Sequence, residues 1–169
     1  NIEYLLQDYR ELDDKLIFDR IVSVGMFEHV GHKNYSSFFK KCHHHLKNDG
    51  YMLLHFIGSS SIKDQINTDL WIDKYIFPGA VIPSIKQVTD NFINNFYLED
   101  FQNFGLSYAK TLNAWYVNFH NALKNKKLES KFTTDKFINM WDYYLIGSQA
   151  GFEVRKLQLW HFLFVKRES

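Results

Sequence analysis

Cysteine is nearly missing from this 169-residue chain: Cys42 stands alone, so no intrachain disulfide can form, and the composition is compatible with a reducing cytosol. Proline is almost as scarce, at two residues, and no stretch rich in Gly, Ser or Pro marks a linker. A formal net charge of +1 supplies no broad basic field, which argues against nucleic acid as a partner. No apolar run approaches the roughly 20 residues that a bilayer-spanning helix needs, and the N-terminus lacks a basic-then-apolar signal pattern. None of the eight glycines forms a Gly-x-Gly turn, the usual phosphate or cofactor cradle of an α/β fold. The chain also opens on Asn, and with the glycine turn absent it reads as the C-terminal part of a longer protein.

Aromatic residues, by contrast, are abundant: 16 Phe, 10 Tyr and 4 Trp make up 18% of the chain. A hydrophobic share of 46% is enough for one domain with a real core. The first third alternates strand and helix signals. Ile2 to Gln7 predicts a short strand, Phe18 to Val24 a buried one, Asn34 to Leu46 a helix, and Tyr51 to Ile57 another buried strand after the turn Asn48-Asp49-Gly50. Strand, helix, strand at this spacing implies parallel pairing through a right-handed crossover.

From Ser59 the pattern turns helical. Tyr108, Leu112, Trp115, Phe119 and Leu123 give one helix an apolar face, and Phe137, Trp141, Leu145 and Ser148 give a second its own. Such a block, over about 60–149, would cover the crevice as a lid or stand beside it as a lobe. Phe152 to Leu157 and Leu159 to Val165 predict an antiparallel strand pair, which makes the sheet mixed at that edge. The expected class is α/β.

Ligands of open α/β sheets bind beyond the carboxyl ends of the strands, so Glu28 and His29, just past the Phe18 strand, are candidates for a site. His55, near the end of the next strand, and Tyr108, early on the aromatic helix, could share a small ligand with Glu28. Each also has a plain structural reading: Glu28 as a helix N-terminal carboxylate, His55 as a satisfied core histidine, Tyr108 as one more aromatic of its stripe. His43-His44-His45 invites a metal, yet adjacent helical residues point about 100° apart while ligands recur at i and i+4, so a solvated helix face is the better account. Cys42 has no base beside it and reads as a small buried residue.

Several strings together resemble the cyclopropane-fatty-acyl-phospholipid synthase family. They are Gln7-Asp-Tyr-Arg-Glu-Leu12, Val24-Gly-Met-Phe-Glu-His-Val-Gly31, Leu54-His-Phe-Ile-Gly58, Trp71-Ile-Asp-Lys-Tyr-Ile-Phe-Pro78, Phe104-Gly-Leu-Ser-Tyr-Ala-Lys-Thr-Leu-Asn-Ala-Trp115 and Leu157-Gln-Leu-Trp160. The resemblance implies the C-terminal portion of a class I, Rossmann-like methyltransferase sheet. Its cofactor would be S-adenosylmethionine, and its reaction would pass a methylene to the cis double bond of a phospholipid acyl chain. The helical block would then be a lipid-binding insertion. Bicarbonate would take the proton whose loss closes the ring, held by Glu28, His55, the backbone of Ile57, and Tyr108. Gln7, Asp8 and Tyr9 would lie along the adenine, and Val24, Gly25 and His29 along the methionine end.

Ser148 stands where many relatives carry a cysteine once suspected of catalysis. The implied location is cytoplasmic, with peripheral contact at the inner membrane. Without the glycine turn and the first strands, this piece alone is expected to bind the cofactor weakly and to be inactive, and its exposed sheet edge invites a homodimer. The competing readings are a related acyl-chain methyltransferase that leaves a methyl branch, and a noncatalytic lipid-binding remnant.

Overall fold

The computed structural model describes residues 2–60 and 69–168. Four strands form one sheet in the order β1-β2-β4-β3: β1 (Phe18–Val24), β2 (Leu46–Ser59), β3 (Phe96–Asn103) and β4 (Leu157–Lys166). β1 and β2 run parallel, joined by helix α1 (Tyr35–His45) as the crossover, and β4 is antiparallel to both β2 and β3. The α/β class, the crossover and the mixed sheet all match the sequence expectation.

Alternation along β2 separates the two faces of the sheet. Met52, Leu54 and Phe56 are fully buried on one side, against α1 and α3 (Ile85–Phe92). Ile57, two residues beyond His55, joins Leu159 on the other side in a cluster with α4 (Gly105–Lys124) and α5 (Asp135–Glu153). The first face is an aromatic core: Phe27 stacks on Tyr35 at 4.3 Å, and Phe39 meets Phe164 edge-on at 5.8 Å. Pairs of this kind contribute about 0.5–1.5 kcal/mol each beyond burial. Most of the unusual aromatic content of β2, α1 and β4 is thus core. Gly58 is required where it is, because a Cβ there would collide with the Trp160 ring.

Five expectations need correction. Ile2 to Gln7 forms no strand: no neighbour offers a ladder to it, and the segment leads instead into a 3₁₀ turn, Tyr9–Glu11, capped by Asp8. β1 has the expected bounds but is not buried; it has one neighbour in the sheet, and only Ser23 on it is buried. Phe152 belongs to α5 rather than to a strand, because at four residues from Ser148 and seven from Leu145 it continues the buried helix face; the chain then turns through Arg155 at φ 59°. β3 interrupts the block expected to be helical. It is an edge strand with an irregular register at Leu98/Asp100 and mostly exposed side chains, so it lacks the apolar alternation that would announce it. The expected turn at Asn48-Asp49-Gly50 becomes an irregularity within β2, which pairs Leu46 with Phe18 and then Tyr51 with Arg20. Residues 61–68, part of the expected insertion, lie outside the described residues.

Candidate active site

The chain leaves β1 through Gly25, which has φ 65° and donates its N–H to the His55 carbonyl at 3.0 Å. A short 3₁₀ turn, Phe27–His29, follows. Phe27 drives its ring into the aromatic core, and Glu28, the next residue, is held 8% exposed. One carboxylate oxygen, Oε1, accepts the Ile57 N–H at 2.6 Å. The other, Oε2, is buried with no hydrogen-bond partner among the described residues. Burial raises the Glu28 pKa, opposed by the Ile57 N–H bond that favours the ionised form.

β2 sets His55 and Ile57 two residues apart on the face toward α4, and the first turns of α4 bring Tyr108 to the same place. The Tyr108 ring packs on Phe152 at 5.0 Å. Burial, and secondarily the Glu28 charge, push the Tyr108 hydroxyl pKa up; burial, with a lesser effect of Tyr108, pushes Tyr144 up to about 12. Both phenols therefore stay protonated donors at neutral pH. Glu28, His29, His55, Ile57, Tyr108 and Ser148 line one cavity of about 280 Å³, so the four residues expected to hold an anion converge. The Ile57 N–H, however, is engaged by Glu28, and the backbone there orients the carboxylate.

This arrangement has a definite chemistry. A buried carboxylate oxygen without a partner loses about 1–3 kcal/mol or more of hydration, a loss recovered by taking a proton or by facing a donor. Tyr108 supplies an O–H, neutral His55 one N–H, and a protonated Glu28 a second O–H. A small oxyanion that also carries a hydroxyl satisfies all three, because it can accept from the donors and donate to Glu28 when that group is ionised.

The six residues expected along the cofactor do not gather in one place. Gly25 and His29 line the same cavity as Glu28. Tyr9 and Val24 border a second hollow of about 340 Å³, together with Met26 and Phe38. Gln7 is tied to the Glu11 carbonyl at 2.7 Å, and Asp8 to Arg10 at 2.6 Å, where the guanidinium holds the Asp8 pKa at about 2.

The three consecutive histidines diverge as helical geometry requires. His43 and His44 are bonded to the carbonyls of Arg167 and Asp14, whereas His45 is buried and bonded to that of Leu16, so the face is not wholly solvated. No cluster of metal-ligating residues occurs among the described residues. Cys42 is buried, as expected, and burial pushes its thiol up to about 12. His161 was not anticipated: its Nε2 lies 2.6 Å from Nδ1 of His55. Alternation within Leu159 to Val165 could have assigned it a face, but only the β2–β4 register sets it opposite His55.

The family model described as mycolic acid cyclopropane synthetase matches residues 1–162. The cyclopropane-fatty-acyl-phospholipid synthase of Escherichia coli strain K12 is 44% identical over 164 residues, which are 97% of this chain and 41% of that protein. A probable fatty acid methyltransferase of Pseudomonas putida is 30% identical across 98% of this chain and 42% of its own length. Among solved structures, the cyclopropane synthase MmaA2 from Mycobacterium tuberculosis superimposes with a TM-score of 0.82 at 26% identity, covering 96% of this chain and 59% of that one. The mycolic acid cyclopropane synthase CmaA1, complexed with SAH and CTAB, gives 0.79 at 30% identity, over 96% of this chain and 59% of that one. The chain thus spans about two-fifths of the length of the first of these curated relatives.

Proposed function

The chain belongs to the mycolic acid cyclopropane synthetase family, and on that premise we propose that it carries the carboxyl-terminal half of a site that transfers a methylene from S-adenosylmethionine to the cis double bond of an unsaturated phospholipid acyl chain. The observation that carries this reading is the convergence of Glu28, His55 and Tyr108 on one largely apolar cavity.

S-adenosylmethionine, when bound, supplies an electrophilic sulfonium methyl. Gly25, His29 and Val24 would border its methionine end at the carboxyl end of β1, where Gly25 leaves open space beside its Cα and Val24 is exposed. Gln7, Asp8 and Tyr9 would border the adenine, which requires Asp8 and Gln7 to exchange their local partners. The side chains of Tyr108, Tyr144 and Phe152 present aromatic faces that ease a cation passing between sulfonium and acyl carbon.

Bicarbonate fits the anion site, because its hydroxyl and two acceptor oxygens match the unpartnered Glu28 Oε2 and the donors His55 and Tyr108; held there, it would take the proton lost on ring closure. The Ile57 N–H orients Glu28, and Glu28 in turn orients the anion's hydroxyl. Exclusion of water by the surrounding rings strengthens each of these interactions. Ser148 lines the same cavity, so the proposed chemistry would proceed with a hydroxyl and no thiol at that position.

Leu70 and Tyr75 on α2 (Leu70–Tyr75) and Tyr143 and Ile146 on α5 are exposed, and Trp71 packs on Tyr143 at 4.5 Å. This apolar face is the surface we assign to peripheral contact with a phospholipid bilayer at the cytoplasmic side of the inner membrane; no described helix is long and apolar enough to cross one. For this chain taken alone, the open edge of β1 is where a second copy would pair.

The test is product analysis. The full-length protein containing this chain, given S-adenosylmethionine and vesicles of a cis-monounsaturated phospholipid, is expected to add one CH2 to the acyl chain with loss of its alkene signals. A methyl-branched product would instead support the second reading, a related acyl-chain methyltransferase. Unchanged acyl chains would overturn both.

A further inference from the structure

His55 and His161 are directly opposite residues of the antiparallel β2–β4 pair, and their rings meet through Nδ1 of His55 and Nε2 of His161 at 2.6 Å. A contact this short holds one hydrogen, so one of the two nitrogens donates and the other accepts. His55 lines the cavity that contains Glu28 and Tyr108, and its Nε2 has no hydrogen-bond partner among the described residues. His161 also packs against the Phe104 ring, 4.6 Å away, and Phe104 is itself tied to the β4 backbone through its N–H to the Leu159 carbonyl at 2.8 Å. The ladder thus sets the two residues opposite each other, and turning either ring away breaks the contact.

We propose that His161 is a positioning residue: its Nε2–H donates to Nδ1 of His55 and so keeps neutral His55 in the tautomer that presents Nε2–H to the cavity. The inference rests on the reading of that cavity as an anion site. Partial burial, and next the neighbouring His161, lower the His55 pKa and favour the neutral ring. A neutral imidazole has a single N–H, so it can donate to an anion through Nε2 only if Nδ1 accepts. His161 supplies the donor that this requires; the reverse donation would turn a bare nitrogen toward an anion.

Long-range proton–nitrogen NMR of the chain carrying nitrogen-15 histidine tests the assignment without any substitution. His55 is expected to show a protonated Nε2 and an unprotonated Nδ1 at neutral pH. His161→Phe, which keeps a ring against Phe104 but removes the donor, should convert this pattern into a mixture of tautomers, and His161→Gln, whose amide can donate, should restore it. A proton found on Nδ1 of His55, or a pattern unaltered in His161→Phe, overturns the proposal. In the full-length protein, turnover independent of bicarbonate would instead overturn the anion reading and leave the tautomer assignment standing, so the two failures are distinguishable.

Discussion

The two faces of the sheet solve opposite problems. Toward α1 and α3, Phe27, Phe39, Phe56 and Phe164 pack ring against ring and expose 0% of their surface. Toward α4 and α5, the sheet leaves a cavity of about 280 Å³, around which the turn after β1, β2 and α4 place a carboxyl, an imidazole and a phenol. Phe27 and Glu28 are consecutive residues of one 3₁₀ turn, so the closed face anchors the open one. A rigid aromatic core can hold a desolvated carboxyl in place; a soft one would let it swing out to water.

The largest effect should come from breaking the closed face. Phe27→Ala is expected to lower unfolding free energy by about 3–5 kcal/mol, read from denaturant midpoints; a loss below about 1 kcal/mol would show that the turn is held by something else. Glu28→Gln comes next. It keeps an acceptor for the Ile57 N–H, so the fold should survive while turnover of the full-length protein falls about 10²–10³-fold. Turnover within about twofold of the wild type would remove Glu28 from the chemistry.

The contrast also has a pH signature. Glu28 has its pKa raised above 4.5 by burial, so the folded state holds a proton that the unfolded state has released, and this contribution to stability is complete below 4.5 and lost as pH rises through the folded value. His55 has its pKa lowered below 6.5, so it acts in the opposite sense: its burial penalises the folded state at low pH, and stability recovers as pH rises toward 6.5. Stability curves of wild type and Glu28→Gln should therefore diverge above 4.5, with the variant losing less as pH rises; parallel curves would contradict a buried carboxyl whose pKa is raised by burial. The smallest effect belongs to the N-terminal segment. Asp8→Ala removes an exposed cap and ion pair and should leave the unfolding midpoint unchanged within error.

That ranking follows how legible each region was. β1, α1 and β2 could be read because Val/Ile runs and a Phe-rich helix stripe repeat at the periods of strand and helix, and the end of a strand is where an α/β ligand site is expected. Glu28 and His55 were found by that rule. Tyr108 was a candidate from its place early on the aromatic helix, where its stripe reads equally as packing, and the resemblance gave it a role. β3 escaped because an exposed edge strand carries charge instead of alternation. His161 escaped because pairing with His55 is a property of register, which a single strand does not contain. Gln7 and Asp8 matched a family string, but on a segment without a ladder their partners are Glu11 and Arg10.

The central claim is that Glu28, His55 and Tyr108 hold one oxyanion beside the reacting carbon. Its most direct test is turnover of the full-length protein in buffer depleted of carbon dioxide and bicarbonate, then resupplied. Turnover should fall on depletion and return on addition for the wild type, with Tyr108→Phe needing more bicarbonate for half of its maximal rate. Equal turnover in depleted and resupplied buffer would contradict the account.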